Sequence, residues 1–227
     1  VFSFLMVVVY IIGPDYLLQS KASNWLVWLS SFTILTASII AISKDDLKAR
    51  LAYSTISQLS YIILGAALAT TFALKGASFH IITHALGKIT LFFCAGAIYV
   101  TAHVKKISEL GGLGFKTPMI FFAYTLGALS IIGVPPLIGS WSKLFLVIGS
   151  LEADFLFVAI LLGISSLLNI YYLLQPVFIA FNKKNIKNIN ITKAPLTIWP
   201  PVITGVGCLF LFFFSNYFLN IINGVVA

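Results

Sequence analysis

The stretch "GASFHIITHALGKITLFFCAGAIY", residues 76–99, is almost entirely apolar, yet it carries His80, His84 and Lys88 at intervals of four. As an α-helix it would be about 36 Å long, enough to cross a hydrocarbon core of about 30 Å. Side chains four residues apart lie on one face of a helix, so the three titratable groups share a stripe. The stretch therefore predicts a membrane-spanning helix with a polar stripe on an apolar surface.

The whole chain has the same apolar character. Of its 227 residues, 60% are hydrophobic and 9% are charged, and the mean hydropathy is +1.05, outside the range of soluble domains. We predict an all-α fold, a polytopic transmembrane helix bundle that forms one membrane domain over 1–227, with six full spans and a partial helix at 1–12. The partial helix begins with Val1 and is too short to span, so we expect a fragment of a longer protein. The predicted spans are 23–42, 48–70, 76–102, 117–150, 155–181 and 196–222.

The basic residues outside the spans are distributed unevenly over the connections. The formal net charge is +8, but the basic side chains do not gather on one soluble face, so no nucleic-acid partner is expected. Three loops are basic: 43–50, 103–116 and 182–195. The positive-inside rule predicts that these loops are cytoplasmic in a multi-pass protein of the cell (inner) membrane, whose spans contact the lipid bilayer. The connections predicted on the opposite side, with the C-terminus, are 13–22, 71–75 and 150–154.

Of the 14 Lys and Arg residues, 12 lie in the loops and connections, including 43–50, and the two that remain inside spans are Lys88 and Lys143. A lysine at the centre of a bilayer helix costs about 2.5–3.5 kcal/mol on insertion scales, so such residues are candidates for function. All six acidic residues lie at connections or span edges, and neither lysine therefore has a carboxylate at its own depth. We predict that both lysines exchange protons. The acidic residues are Asp15, Asp45, Asp46, Glu109, Glu152 and Asp154.

The stripe of His80, His84 and Lys88 is predicted to pass protons, because neutral imidazole accepts a proton at one nitrogen and donates one at the other. Two alternatives stay open. The histidines are buried packing groups with hydrogen bonds, or His80 and His84 bind haem or a metal, for which they supply too few ligands alone. His103 lies at the predicted cytoplasmic end, as an interface residue or as the end of the relay. Both cysteines lie inside apolar spans, so no cysteine metal site is expected.

Lys143 lies in a span that is too long for one straight helix, "LGALSIIGVPPLIGSWSKLFLVIGSL" at 126–151. We predict a helix break at Pro135 and Pro136, flanked by Gly133 and Gly139. A break at membrane depth is tolerated only where the freed backbone groups are buried in protein or face a water-filled cavity. If the second half-helix begins near residue 140 or 142, Lys143 lies in its first turn, where the helix dipole disfavours the ammonium form.

Three stretches, in this order, resemble one family of membrane proteins. They are "DDLKARLAYSTISQLSYIILG" at 45–65, "FHIITHALGKITLFFCAGAI" at 79–98 and "GALSIIGVPPLIGSWSKLFL" at 127–146. The family is that of the proton-translocating, antiporter-like subunits shared by NADH:quinone oxidoreductase (complex I) and the multisubunit Mrp cation/proton antiporters. The residue pattern of the stretches is most similar to that of the D-like members among the Mrp antiporter subunits. The resemblance covers most of residues 40–150, and it likens the chain to the C-terminal half of such a subunit.

The resemblance implies roles for particular residues. His80, His84 and Lys88 would be central relay residues, and Lys143 would gate a half-channel on the broken helix. Lys48 would be a further relay residue or a positive-inside anchor. The implied partners are other hydrophobic subunits, protons, and Na⁺ or K⁺, with no bound organic cofactor and no metal. Two alternatives to an Mrp subunit stay open: an antiporter-like subunit of complex I, and a remnant or scaffold subunit that is unable to conduct.

Overall fold

The computed structural model describes residues 1–182 and 194–226, which form helices joined by short connections. The predicted basic loop at 182–195 therefore lies, apart from its edges, outside the described residues. In chain order the elements are α1 (Phe2–Val7), a π-helix (Val8–Ile12), α2 (Pro14–Ser20), α3 (Asn24–Ser43), α4 (Leu47–Leu68), α5 (Thr71–Ala102), a 3₁₀ turn (Ile107–Glu109), α6 (Leu113–Lys116), α7 (Pro118–Ile132), α8 (Gly139–Glu152), α9 (Leu156–Ala180), a 3₁₀ turn (Pro195–Thr197), α10 (Trp199–Phe213) and α11 (Ser215–Val226).

Four helices, α3, α4, α5 and α9, are each long and apolar enough to cross a membrane. Two further pairs reach that length only with a bend, of 82° between the helix that ends at Ile12 and α2, and of 71° between α10 and α11. The prediction of an all-α polytopic bundle is confirmed. The predicted span at 196–222 is bent in the structure, because α10 ends at Phe213 and α11 continues in another direction.

Two predicted connections are shorter in the structure than in the sequence analysis. The predicted connection at 71–75 is wrong, because these residues belong to α5, which begins at Thr71. Thr70 caps this helix by accepting a hydrogen bond from the N–H of Ala73 at 3.3 Å. The loop at 43–50 is confined to 44–46, since the Asp46 carboxylate accepts a hydrogen bond from the N–H of Ala49 at 2.8 Å and starts α4 there. In both cases a side-chain cap begins a helix earlier than hydropathy indicates.

The helices α7 and α8 together form one broken span that runs antiparallel to α5. The thiol of Cys94 on α5 contacts the carbonyl of Ile120 near the start of α7, at 3.4 Å between sulfur and oxygen. Near the start of α5, the Thr70 hydroxyl donates to the carbonyl of Gly149 near the end of α8, at 3.0 Å. The interruption falls at residues 133–138, so the predicted break at Pro135 and Pro136 is confirmed.

Glycine allows α8 to lie unusually close to α5. A Cβ atom at Gly149 would be 2.3 Å from the backbone nitrogen of Ala73, and one at Gly76 would be 2.7 Å from the backbone nitrogen of Leu146. Real Cβ atoms do not approach other atoms so closely, so only glycine fits at both contacts. This close packing fixes the depth of the Lys143 helix against the histidine helix.

Two of the basic loops meet at one end of the bundle. The Leu47 N–H donates to the Lys105 carbonyl at 3.0 Å, and the Ile107 N–H donates to the Asp45 carbonyl at 2.8 Å. The Asp45 carboxylate also accepts from the N–H and the hydroxyl of Ser108, at 3.0 and 2.7 Å. Because side-chain and backbone bonds join the two loops, they must lie on the same side of the membrane.

Arg50 fixes this end from inside the bundle. Its side chain is 4% exposed and donates to the carbonyls of Ile42 and Lys44, at 3.2 and 2.9 Å. It also donates to the carbonyl of Tyr172 at 3.3 Å and to the side-chain oxygen of Gln175. One side chain therefore joins the end of α3, the start of α4 and the last third of α9.

The predicted opposite end also comes together in the structure. The Ser23 hydroxyl donates to the carbonyl of Ala67 at 2.6 Å, which joins the start of α3 to the end of α4. Beside them a cavity of about 370 Å³ is lined in part by Lys21, Glu152 and Asp154. The connections at 13–22 and 150–154 are therefore neighbours, as the alternation of charge predicts.

Candidate proton-carrier site

The stripe on α5 lies within the bundle, and its lysine lies near the middle of the helix. Lys88 is about 26 Å along the axis from Thr71 and about 21 Å from Ala102. His80 and Lys88 are 1% and 4% exposed, and His84 is half-buried. The stripe thus faces other helices, and Lys88 lies too deep for its amine to reach the membrane surface.

Lys88 contacts α4. Its ammonium donates to the hydroxyl of Ser54 at 2.6 Å and to the carbonyl of Leu51 at 3.3 Å. Neither partner is charged, and no carboxylate in the described part of the chain pairs with Lys88. Burial of a charge without an opposite charge is costly. Because Lys88 forms no ion pair in the described part of the chain, loss of its proton does not break one.

The two histidines are held differently. The Nδ1 atom of His80 is 2.6 Å from the hydroxyl of Ser142 on α8, and its ring stacks on Tyr61 with 5.2 Å between centroids. The rings of His80 and His84 are 6.4 Å apart. The Nε2 atoms of both are buried and have no hydrogen-bond partner in the described part of the chain. Buried polar atoms of this kind are usually satisfied by ordered water.

Lys143 is the fifth residue of α8, one position beyond the first turn in which the sequence analysis expects it. Its ammonium donates to the hydroxyl of Ser166 on α9 at 2.8 Å, and lies 5.4 Å from the ring centre of Tyr61. It lines a cavity of about 660 Å³ beside the helix break, together with Gly133 and Pro135. The break thus borders a cavity, and freed backbone groups at membrane depth are tolerated where they face a water-filled cavity.

Tyr61 joins the histidine stripe to Lys143. Its ring stacks on the imidazole of His80 and lies under the ammonium of Lys143. Its hydroxyl donates to the hydroxyl of Ser165 at 2.7 Å. The structure therefore assembles residues from α4, α5, α8 and α9 around one aromatic ring.

A second row of polar groups, which the sequence patterns do not predict, lies between α4 and α9, and we call it the α4–α9 seam. The Ser54 hydroxyl is 3.0 Å from the hydroxyl of Tyr172, which donates to the side-chain oxygen of Asn169. The same oxygen accepts from the amide of Gln58 at 3.3 Å. Tyr61 and Ser165 continue the row. The seam consists of Ser54, Gln58, Tyr61, Ser165, Ser166, Asn169 and Tyr172.

A sequence signal for the seam exists in the spacing of its members. Ser54, Gln58 and Tyr61 recur at intervals of four and three within an apolar span, and Ser165, Asn169 and Tyr172 do the same. That period places each set on one face of a helix. Neutral polar residues are common in membrane helices, so the period alone does not reveal that the two faces meet.

Two of the predicted relay residues lie apart from this site. The ammonium of Lys48 lies 5.5 Å from the ring centre of Tyr99, and the ring of His103 lies 5.7 Å from the same ring. His103 is exposed at the end of α5, about 22 Å along the helix axis from Lys88. Both belong to the end of the bundle that carries the basic loops.

Metal ligands are not gathered in the part of the chain that the structure describes. In residues 1–182 and 194–226 no group of three or more His, Cys, Asp or Glu side chains is placed to hold a metal ion. One nitrogen of His80 already contacts Ser142. The arrangement instead combines amines, imidazoles and hydroxyls, which are groups that exchange protons.

The fold and the site define a polytopic membrane protein with ionisable groups buried in its helix bundle. The family model described as NADH:quinone oxidoreductase/Mrp antiporter, transmembrane, matches residues 3–169. The chain belongs to this family and is an antiporter-like membrane subunit.

Two curated relatives are similar to this chain in sequence. NADH-quinone oxidoreductase subunit N of Desulforudis audaxviator is 42% identical over 157 residues, which cover 69% of this chain and 31% of the relative. Subunit L of the same enzyme from Mycobacterium tuberculosis is 32% identical over 207 residues, which cover 87% of this chain and 32% of the relative. The matched part thus spans about a third of the length of these relatives.

Two solved structures share the fold. A chain of the Mrp complex of Dietzia sp. superimposes with a TM-score of 0.85 and 21% identity, over 93% of this chain and 48% of the other. A chain of respiratory complex I from Thermus thermophilus superimposes with a TM-score of 0.83 and 20% identity, over 98% of this chain and 47% of the other. At these identities the likeness shows the fold alone.

Proposed function

We propose that this chain carries protons across the membrane as the D-like component of a multisubunit Mrp-type cation/proton antiporter. One observation carries the proposal: two lysines, Lys88 and Lys143, lie inside the bundle and hydrogen-bond to neutral oxygens. An amine in this setting changes its charge with a proton, whereas a lysine held by a carboxylate would stay charged.

The carriers would act in series along α5. A proton released by Lys143 reaches His80 beside Ser142, then His84 and Lys88. Each imidazole takes a proton at one nitrogen and gives one from the other, so it ends neutral, as the other tautomer. The unpartnered Nε2 atoms of His80 and His84 leave places for the waters that would bridge the 6.4 Å between the rings.

The arm of complex I is a second candidate host, and the 42% identity to a subunit N of NADH-quinone oxidoreductase is the observation that favours it. In either complex the partners would be other hydrophobic subunits, and only the antiporter would exchange Na⁺ or K⁺ for protons. Residues 1–227 would form one membrane domain, corresponding to the C-terminal half of an antiporter-like subunit. The basic loops, including 182–195, would face the cytoplasm across the cell (inner) membrane.

The test compares Lys143→Ala with the wild type in everted vesicles that contain the complete complex, with a pH-sensitive dye. Loss of the amine at the broken helix is expected to reduce proton flux by a factor of about ten or more, as removal of one group from a proton-transfer path does. Lys75→Ala is the matched control, because Lys75 is on α5 but near its start, over the ring of Phe72.

The way in which flux is driven distinguishes the hosts. Collapse of a preformed pH gradient by added Na⁺ or K⁺, lost in Lys143→Ala, supports the antiporter. A gradient that forms with NADH, is weakened by the substitution and ignores the cations supports complex I. If neither signal changes in Lys143→Ala, the chain does not conduct through this site, and the remnant or scaffold alternative is correct.

A further inference from the structure

The geometry points to the α4–α9 seam as a second proton path between Lys88 and Lys143, parallel to the histidine stripe and completed by a water held between Gln58 and Asn169. This inference rests on the proposed function, since it needs both lysines to exchange protons. It assigns a role in proton transfer to Ser54, Tyr172 and Tyr61, none of which carries a charge.

One half of the seam is already a continuous row of hydrogen bonds. The Lys88 ammonium donates to Ser54 at 2.6 Å, and the hydroxyls of Ser54 and Tyr172 are 3.0 Å apart. A hydroxyl donates and accepts at the same atom, so this row can pass a proton. Both hydroxyl residues are 0% exposed, which separates them from bulk water.

The other half reaches Lys143 through Tyr61. The Tyr61 hydroxyl donates to Ser165 at 2.7 Å, and Ser165 directly precedes Ser166 in α9. The Ser166 hydroxyl accepts from the Lys143 ammonium at 2.8 Å. The Tyr61 hydroxyl therefore lies at the turn of α9 that holds the partner of Lys143.

The two halves meet at a pair of amides, which cannot pass a proton as a hydroxyl does. The amide nitrogen of Gln58 donates to the side-chain oxygen of Asn169 at 3.3 Å. The oxygen of Gln58 and the amide nitrogen of Asn169 are both buried and unpartnered in the described part of the chain. One is an acceptor and the other a donor, which suits a single water that donates to Gln58 and accepts from Asn169.

The transfer conserves protons at every oxygen. Lys143 gives a proton to Ser166, as the Ser166 hydroxyl proton passes to Tyr61 and that of Tyr61 passes to the water. The water gives a proton to Tyr172, whose own hydroxyl proton turns away from the Asn169 oxygen and passes through Ser54 to the neutral amine of Lys88. Each oxygen forms one O–H bond and breaks one, so the outcome is a neutral Lys143 and an ammonium at Lys88.

The seam and the histidine stripe join the same two levels of the bundle. Ser166 and Tyr172 are separated by about 9 Å along α9, and His80 and Lys88 by about 12 Å along α5. Because the paths are parallel, loss of one lowers the flux and loss of both abolishes it. A test must therefore be made with the histidine path already broken.

The decisive experiment measures dye-reported proton flux in everted vesicles for His84→Leu, with and without Ser54→Ala. Flux is expected to persist in His84→Leu and to fall a further ten- to hundredfold when the Ser54 hydroxyl is also removed, since that hydroxyl bonds a charged group. Ser60→Ala in the same background is the control. Ser60 is buried on the same helix, and its hydroxyl donates to the carbonyl of Ile56, away from the seam.

Three results would overturn the seam, and they differ in what they say of the function. If His84→Leu alone abolishes flux, or if Ser54→Ala adds nothing, the seam does not conduct while the proposed function stands. If Lys143→Ala leaves flux unchanged, the proposed function fails and the seam with it.

A second pair covers a Ser54 variant that fails to accumulate in membranes. Tyr172→Phe removes the next hydroxyl of the seam, and Tyr124→Phe removes a buried hydroxyl that has no partner in the described part of the chain. In the His84→Leu background only Tyr172→Phe should reduce the flux, and equal flux in the two variants rules the seam out.

Discussion

Gly139 shows how little space separates the two halves of the broken span. It is the first residue of α8, and a Cβ atom there would lie 1.8 Å from the carbonyl oxygen of Ser130 on α7. Gly139→Ala must therefore displace backbone, and we expect it to lower the free energy of unfolding by about 1–3 kcal/mol. Thermal unfolding of the detergent-solubilised complex measures the loss.

Gly163 supplies the control for that substitution. It is an exposed residue within α9, and a Cβ atom there meets no atom of residues 1–182 or 194–226 within 4 Å. Gly163→Ala should be neutral or raise stability by up to about 1 kcal/mol, through helix propensity alone. If the two alanine variants are equally stable, the close α7–α8 contact at Gly139 does not contribute to the free energy of unfolding.

At the scale of residues, the charged members of the site could be predicted from the sequence, and their neutral partners could not. Lys88 and Lys143 could be found because a charge inside an apolar span is unusual whatever surrounds it. Tyr61 and Asn169 could not, because what makes them part of the site is a contact across helices more than 100 residues apart in sequence. Local patterns carry no information on which faces meet.

At the scale of elements, the contact between Asp45 and Ser108 clamps the start of α4 to the segment after α5. The hydroxyl of Ser108, with its backbone N–H and the charge of Lys106, holds the pKa of Asp45 below its usual value. A lowered pKa in the folded state stabilises the fold above the unfolded pKa of about 3.9, and this stabilisation is lost as the pH falls through the folded value.

Asp45→Asn should remove that dependence. The wild type is expected to lose stability relative to Asp45→Asn between about pH 5 and pH 3, because only the wild type must protonate the bonded carboxylate. Thermal unfolding of both across that range measures the difference, with Asp15→Asn as a control at the other end of the bundle. Parallel curves would show that the clamp contributes nothing to stability.

The elements themselves were predicted to different degrees. The break after Gly133 followed from two prolines, whose effect on a helix is local and strong. The start of α5 at Thr71 and the bend at Phe214 did not follow from hydropathy, because a cap or a bend changes direction without changing composition. Apolar content thus locates spans, and hydrogen bonds decide where they begin and turn.

At the scale of the whole molecule, charge divides the bundle into two ends. One end gathers Lys44, Lys105 and Lys106, and the other gathers Lys21, Glu152 and Asp154. The alternation of basic and poorly basic connections predicts this division from sequence, because a connection changes side with each span. Hydrogen bonds at each end hold the neighbouring helices and connections together.

The orientation that follows can be tested with single cysteines at Lys106 and Asp154. In intact cells a thiol reagent that cannot cross membranes should label Asp154→Cys and leave Lys106→Cys unlabelled, and in everted vesicles the pattern should reverse. The background is low because both natural cysteines, Cys94 and Cys208, are 0% exposed. Labelling of both positions from one side would contradict the two-ended bundle, whereas a reversed pattern would keep the bundle and place the basic loops outside the cytoplasm.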